Sequence, residues 1–95
     1  MWLAIRSGEQ TGRIIEVDKD RFVLGRDEGC DLLVPDEKVS RRHASILKRD
    51  DGRIYLDDLG STNGTWVNGA RIATPHPLVE GDELRVGGTR LRLVR

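Results

Sequence analysis

With a single cysteine, Cys30, the chain cannot close an internal disulfide, so nothing in it calls for an oxidising compartment. Cys30 itself reads as a small, partly buried side chain rather than a reactive thiol. Aromatic residues are nearly as scarce, at two Trp, one Tyr and one Phe. Trp2, Phe22, Tyr55 and Trp66 are too few and too scattered for the stacking platform that single-stranded nucleic acid needs. An excess of one charge is missing too. The 16 Lys and Arg are balanced by 16 Asp and Glu. That excludes the broad basic face of a general nucleic-acid or anionic-membrane binder and leaves room only for a local patch such as Arg41, Arg42, Lys48 and Arg49.

Long apolar runs are absent. No segment approaches the roughly 20 residues of a membrane span. The opening "MWLAIRSG" lacks the charged start and apolar stretch of a signal peptide. The expectation is a soluble, cytoplasmic chain with no membrane partner. Metal chemistry is poorly supplied: the two histidines, His43 and His76, and the lone Cys30 show no paired-ligand spacing. Neither a Gly-x-Ser-x-Gly elbow nor a Walker-type phosphate loop occurs. No metal, no cofactor and no catalysis are expected.

What remains is 34% charged and 37% hydrophobic residues, a mixture suited to one folded domain over residues 1–95. No helical period stands out. Apolar residues alternate instead: Phe22 and Leu24 with Arg21 and Val23, Ile54 and Leu56 with Arg53 and Tyr55, Leu84 and Val86 with Glu83 and Arg85, Leu91 and Leu93 with Arg90 and Arg92. A period of two sends one set inward and the other to solvent. Turn-forming clusters separate the runs: Ser7 to Gly12, Asp18 to Asp20, Asp50 to Gly52, Asn68–Gly69 and Gly87–Gly88 all read as hairpin connections. Strands so spaced, with no helices between them, predict an antiparallel sandwich or barrel. Arg26 to Arg42 and Leu59 to Gly64 do not read as strands, and Pro75 and Pro77 keep their segment out of a central one. The run "TRLRLVR" reaches the last residue, which suggests a module taken from a longer protein.

Three short motifs could carry chemistry. Gly25–Arg26 sits where a strand ends, and Arg offers a permanent charge with a flat fork of donors. In "SRRHA", Ser40 offers a hydroxyl and Arg41 and Arg42 two cations, while His43 leads into the next strand. His43 reads as an imidazole tying loop backbone together, with general base or metal ligand as the alternatives. In "STNG", Ser61 to Gly64, hydroxyl and amide side chains ahead of a glycine can fold into a turn that points backbone N–H groups outward, a surface friendly to phosphate. The Asn63–Thr65 match to a glycosylation acceptor is accidental in this setting.

Taken together, "GR", "SRRHA", "DLGSTNGTWVNG" and the later "EGDELRVG" resemble the forkhead-associated (FHA) domain, a phosphothreonine-binding module, over nearly the whole chain. The resemblance implies an all-β sandwich of about eleven strands with its binding loops at one end. It implies that Arg26 contacts the phosphate or supports the loop that does, that Ser40 donates its hydroxyl to a phosphate oxygen, and that Arg41 touches the phosphate or nearby peptide. Thr62 would lie beside the threonine methyl and Asn63 would pair with peptide backbone. Gly25, His43 and Gly64 would shape the loops, and Asn68–Gly69 would be a plain turn. The implied partner is a phosphothreonine-containing protein, or a segment of the same parent chain, bound in kinase signalling. The alternatives are a phosphate-independent interaction module on the same fold and, from Ser40, His43 and Asp58, a hydrolytic triad.

Overall fold

The alternation resolves, in a computed structural model that describes residues 1–95, into eleven strands and no helix. In chain order they are β1 (Trp2–Ile5), β2 (Ile14–Glu16), β3 (Arg21–Gly25), β4 (Leu32–Leu33), β5 (Ala44–Lys48), β6 (Ile54–Asp58), β7 (Thr65–Val67), β8 (Ala70–Arg71), β9 (His76–Leu78), β10 (Glu83–Val86) and β11 (Thr89–Val94). They form a six-stranded sheet, β2-β1-β11-β10-β7-β8, and a five-stranded sheet, β4-β3-β5-β6-β9.

One core of 19 buried side chains lies between the sheets. Leu3, Ile5, Leu84, Val86, Leu91 and Leu93 enter it from the larger sheet, and Phe22, Leu24, Ile46, Ile54 and Leu56 from the smaller. Burying each such side chain is worth about 1.5–3 kcal/mol, which makes this layer the main source of stability. In β11 the alternation is complete, with Leu91 and Leu93 buried and Arg90 and Arg92 exposed.

Four of the five turn clusters close hairpins, joining β1 to β2, β5 to β6, β7 to β8 and β10 to β11. At β7–β8, Asn68 and Gly69 have φ of 49° and 85°, the positive pair that a type I′ turn requires. Asp18 to Asp20 does something else. It carries the chain from β2 in the larger sheet to β3 in the smaller, so it is a crossover and not a hairpin. Two further expectations need correction. Val23 is buried along with Phe22 and Leu24, although it points away from the main cluster. The stretch from Arg26 to Arg42 contains a two-residue strand, β4, which pairs in parallel with β3 and makes the smaller sheet mixed. Pro77 falls within β9, but β9 is an edge strand, where a missing N–H can be tolerated.

Candidate functional site

Three connections meet at one end of the sandwich: residues 26–31 after β3, residues 34–43 after β4, and residues 59–64 after β6. Backbone contact holds the first two together. A Cβ built on Gly25 would lie 2.1 Å from the Arg41 carbonyl oxygen, so only glycine allows this approach. The Arg26 N–H donates to the Ser40 carbonyl at 3.0 Å and the Asp27 N–H to the Arg41 carbonyl at 3.1 Å. The Cys30 thiol donates to that same Arg41 carbonyl at 3.1 Å. Burial pushes this thiol up from its ordinary value, against the pull of the Asp27 backbone and Arg42, which suits a proton-donating structural role.

His43 joins the second and third connections. It is fully buried. Its Nδ1 accepts the Ser40 backbone N–H at 3.0 Å, which leaves Nε2 to carry the proton and donate to the Gly64 carbonyl at 2.8 Å. Both ring nitrogens are thereby used on backbone. The Ser40 hydroxyl does not meet the ring, and Asp58 is engaged elsewhere, so the three residues do not assemble as a nucleophile, base and orienting acid.

Ser40 and Thr62 meet across the rim. The Thr62 N–H donates to the Ser40 hydroxyl oxygen at 3.1 Å, which fixes the oxygen and leaves the hydroxyl proton free to donate. Asn63 sends its amide N–H to the Lys38 carbonyl at 2.8 Å. One half of its amide therefore braces the 34–43 connection, while its Oδ1 stays unengaged. Arg26 and Arg41, together with Asp27, line an open depression beside these groups. Both arginines are exposed, and neither takes part in an ion pair. The rim thus presents two unneutralised guanidinium groups, one directed hydroxyl and an exposed Thr62–Asn63 corner. Donors exceed acceptors there, a character suited to an anion.

Two carboxylates to which the motifs gave no part in binding, Asp58 and Asp36, brace the loops that carry the rim. Asp58 receives the Ser61 hydroxyl at 2.5 Å, the Thr65 hydroxyl at 2.6 Å, and the N–H groups of Gly60 and Ser61 at 3.1 Å each. Burial works against its ionisation, but these donors, led by Ser61, outweigh burial and hold its carboxyl below the ordinary value. The Ser61 hydroxyl in turn accepts the Gly64 N–H at 3.0 Å, closing the corner on itself. Asp36 does the same for the 34–43 connection. It accepts from the Lys38 N–H, the Gly88 N–H and the Thr89 hydroxyl, linking that loop to the β10–β11 turn. Its carboxyl is likewise held low, burial being outweighed by those donors. An Asp whose side chain meets the N–H two or three residues on is a readable turn signal, and both "DLGS" and "DEK" carry it.

Gly64, at φ of 90°, completes the corner. A Cβ there would lie 2.7 Å from Arg71 Nε, so the Arg71 side chain packs directly beneath it. Asn68 is more than a turn residue. Its amide donates to Asp82 and its Oδ1 accepts the Glu83 N–H, pinning the β7–β8 turn to the start of β10.

Comparison with known proteins gives a consistent picture. Residues 22–87 match the family model for the FHA domain. The chain is 33% identical over 92 residues to the FHA domain-containing protein FhaB of Mycobacterium tuberculosis, covering 97% of this chain and 59% of that protein. Its structure superposes on the FHA domain of the CT664 protein of Chlamydia trachomatis with a TM-score of 0.91 at 28% identity, covering 99% of this chain and 95% of that one. It also superposes on the N-terminal FHA domain of S. cerevisiae Rad53p, solved in complex with a phosphothreonine peptide, with a TM-score of 0.83 at 26% identity, covering 98% and 90%. No helix is long and apolar enough to cross a membrane.

Proposed function

The chain belongs to the forkhead-associated domain family, and from that footing we propose that residues 1–95 act as one phosphothreonine-recognition domain, used for phosphorylation-dependent protein–protein interaction in kinase signalling. The curated relatives are longer, this chain spanning 59% of FhaB, so the identity of the partner is a property of the whole protein.

The hydrogen bond from Thr62 N–H to Ser40 Oγ carries the reading. By occupying an acceptor site on the hydroxyl oxygen, it directs the remaining proton to a ligand oxygen in front of the rim. A phosphorylated threonine brings about −1.5 to −2 charges and three strong acceptors. Arg26 and Arg41 supply the opposing charge, Ser40 a directed donor, and the unengaged Asn63 oxygen an acceptor for a peptide N–H. A carboxylate matches this set less well, having less charge and fewer oxygens. Gly25, His43 and Gly64 hold the loops in register and touch no ligand. With His43 committed to two backbone groups, no base is available to Ser40, and the site binds without catalysing.

The test is calorimetric titration with one threonine peptide in phosphorylated and unphosphorylated forms. Saturable binding of the phosphorylated form alone supports the reading. Equal binding of both forms would instead make the chain a phosphate-independent interaction module.

A further inference from the structure

The outer face of the larger sheet carries a cationic row that the phosphate site does not use. Cross-strand register aligns Arg71 with Trp66, Trp66 with Arg85, and Arg85 with Arg90, on β8, β7, β10 and β11 in turn. The next row adds Arg92 beside Glu83. The four arginines are exposed, and the only carboxylate that pairs with any of them is Glu83, 3.6 Å from Arg90. In a chain of zero net charge this is a local excess of one sign. The Arg85 guanidinium lies over the Trp66 ring, 4.4 Å from its centre, a cation–π contact. The indole N–H of Trp66 is buried without an acceptor. The row also starts at the phosphate rim, because Arg71 packs beneath Gly64. Three strand spacings of about 4.8 Å make it roughly 14 Å long, the span of about four extended residues.

We propose that this row is a second contact surface, which holds an acidic segment of the partner, rich in Asp or Glu, flanking the phosphothreonine. Carboxylates would meet the Arg85 and Arg90 forks, the geometry for which Arg is suited. The inference rests on the phosphothreonine reading, and its test separates the two.

A short phosphothreonine peptide is titrated at about 0.15 M ionic strength, beside versions carrying six Asp/Glu residues on the N-terminal or the C-terminal side and matched versions carrying six Ser/Gly residues. The acidic extension on one side is expected to tighten binding about fivefold to tenfold over the Ser/Gly extension, in line with one or two exposed charge pairs. Arg85→Glu/Arg90→Glu should abolish that gain while leaving the short peptide's affinity within about twofold, as a charge remote from the rim requires. Arg85→Gln/Arg90→Gln, which keeps side-chain length, gives the same answer if the reversal disturbs folding. The Trp66 indole N–H resonance should move only with the acidic extension. A gain of zero on both sides, or one that survives both variants, overturns the inference and leaves the phosphothreonine reading standing. Failure of the short peptide to bind removes both.

Discussion

The backbone N–H of Thr62 and the side-chain oxygen of Ser40, on separate loops, lie 3.1 Å apart and form a hydrogen bond across the rim. This bond converts an ordinary surface serine into an oriented donor. Ser40→Ala should therefore weaken phosphopeptide binding by about 1–3 kcal/mol, the range for a charge-assisted hydrogen bond with loss of its loop tether. Calorimetry against one peptide measures it. Loss of less than about twofold would show that the hydroxyl does not meet the phosphate.

Arg26 is exposed and unpaired, so its side chain supports no other part of the fold. Arg26→Ala is expected to remove most phosphopeptide binding, at least tenfold for a charged donor pair, and to leave the melting temperature within about 2 °C, as expected for a surface substitution. Fluorescence anisotropy and a thermal melt on one preparation settle both halves.

Glycines 25 and 29 sit four positions apart and should behave oppositely. A Cβ on Gly25 meets the Arg41 carbonyl oxygen at 2.1 Å, while one on Gly29 meets nothing nearer than an Asp27 carboxylate oxygen at 3.7 Å. Gly25→Ala should cost about 1–3 kcal/mol of stability, or more where the loops cannot separate, because the clash is with backbone. It should also impair binding, since the displaced segment carries Ser40 and Arg41. Gly29→Ala should be close to neutral. Urea unfolding of the two variants gives the comparison.

Acid should separate binding from folding. The carboxyls of Asp36 and Asp58 are held below their ordinary value, since donors outweigh burial at both. A depressed folded-state value stabilises the native state fully above the unfolded value, near 3.9, and that contribution is lost as pH falls through the folded value. Melting temperature should hold between about pH 7 and 5 and drop below about pH 4. The ligand's second phosphate ionisation lies near 6, so affinity should already fall through that region. A domain that is folded at about pH 5 yet binds weakly is the expected result. Affinity flat from neutrality to about pH 5 would show that the dianion is not what is recognised.

Threonine should be preferred to serine only modestly. Burying one methyl group is worth about 0.8 kcal/mol, roughly fourfold. Paired phosphothreonine and phosphoserine peptides of one sequence measure this ratio. A ratio far above about tenfold (1.4 kcal/mol) would mean that the methyl also fixes the side-chain rotamer.

Much of this architecture was legible where one physical rule acts alone. The Leu91 and Leu93 alternation could be read because one face of β11 is core and the other is solvent. Asn68–Gly69 could be read because few residues accept positive φ twice in succession. Legibility failed where rules compete. Val23 is buried on the opposite side of β3 from Phe22, so its burial breaks the period. β4 is two residues long and pairs in parallel, too short to show any period. Asp18 to Asp20 has the composition of a hairpin turn, and only the packing of two sheets reveals it as a crossover. At the rim, the motifs marked the residues that face outward. They offered Asp58 only as a triad member and passed over Asp36, although the work of both is to bind loop backbone and hydroxyls, and they passed over Arg71, which reaches the corner from a different strand.

The convergence of three loops on one phosphate is tested most directly by following backbone amides by NMR through a phosphothreonine-peptide titration. The amides of Arg26, Ser40, Arg41, Thr62 and Asn63 should shift along a single isotherm, with the unphosphorylated peptide leaving them unmoved. Shifts confined to the opposite end of the sandwich, or the same shifts with both peptides, would contradict the account.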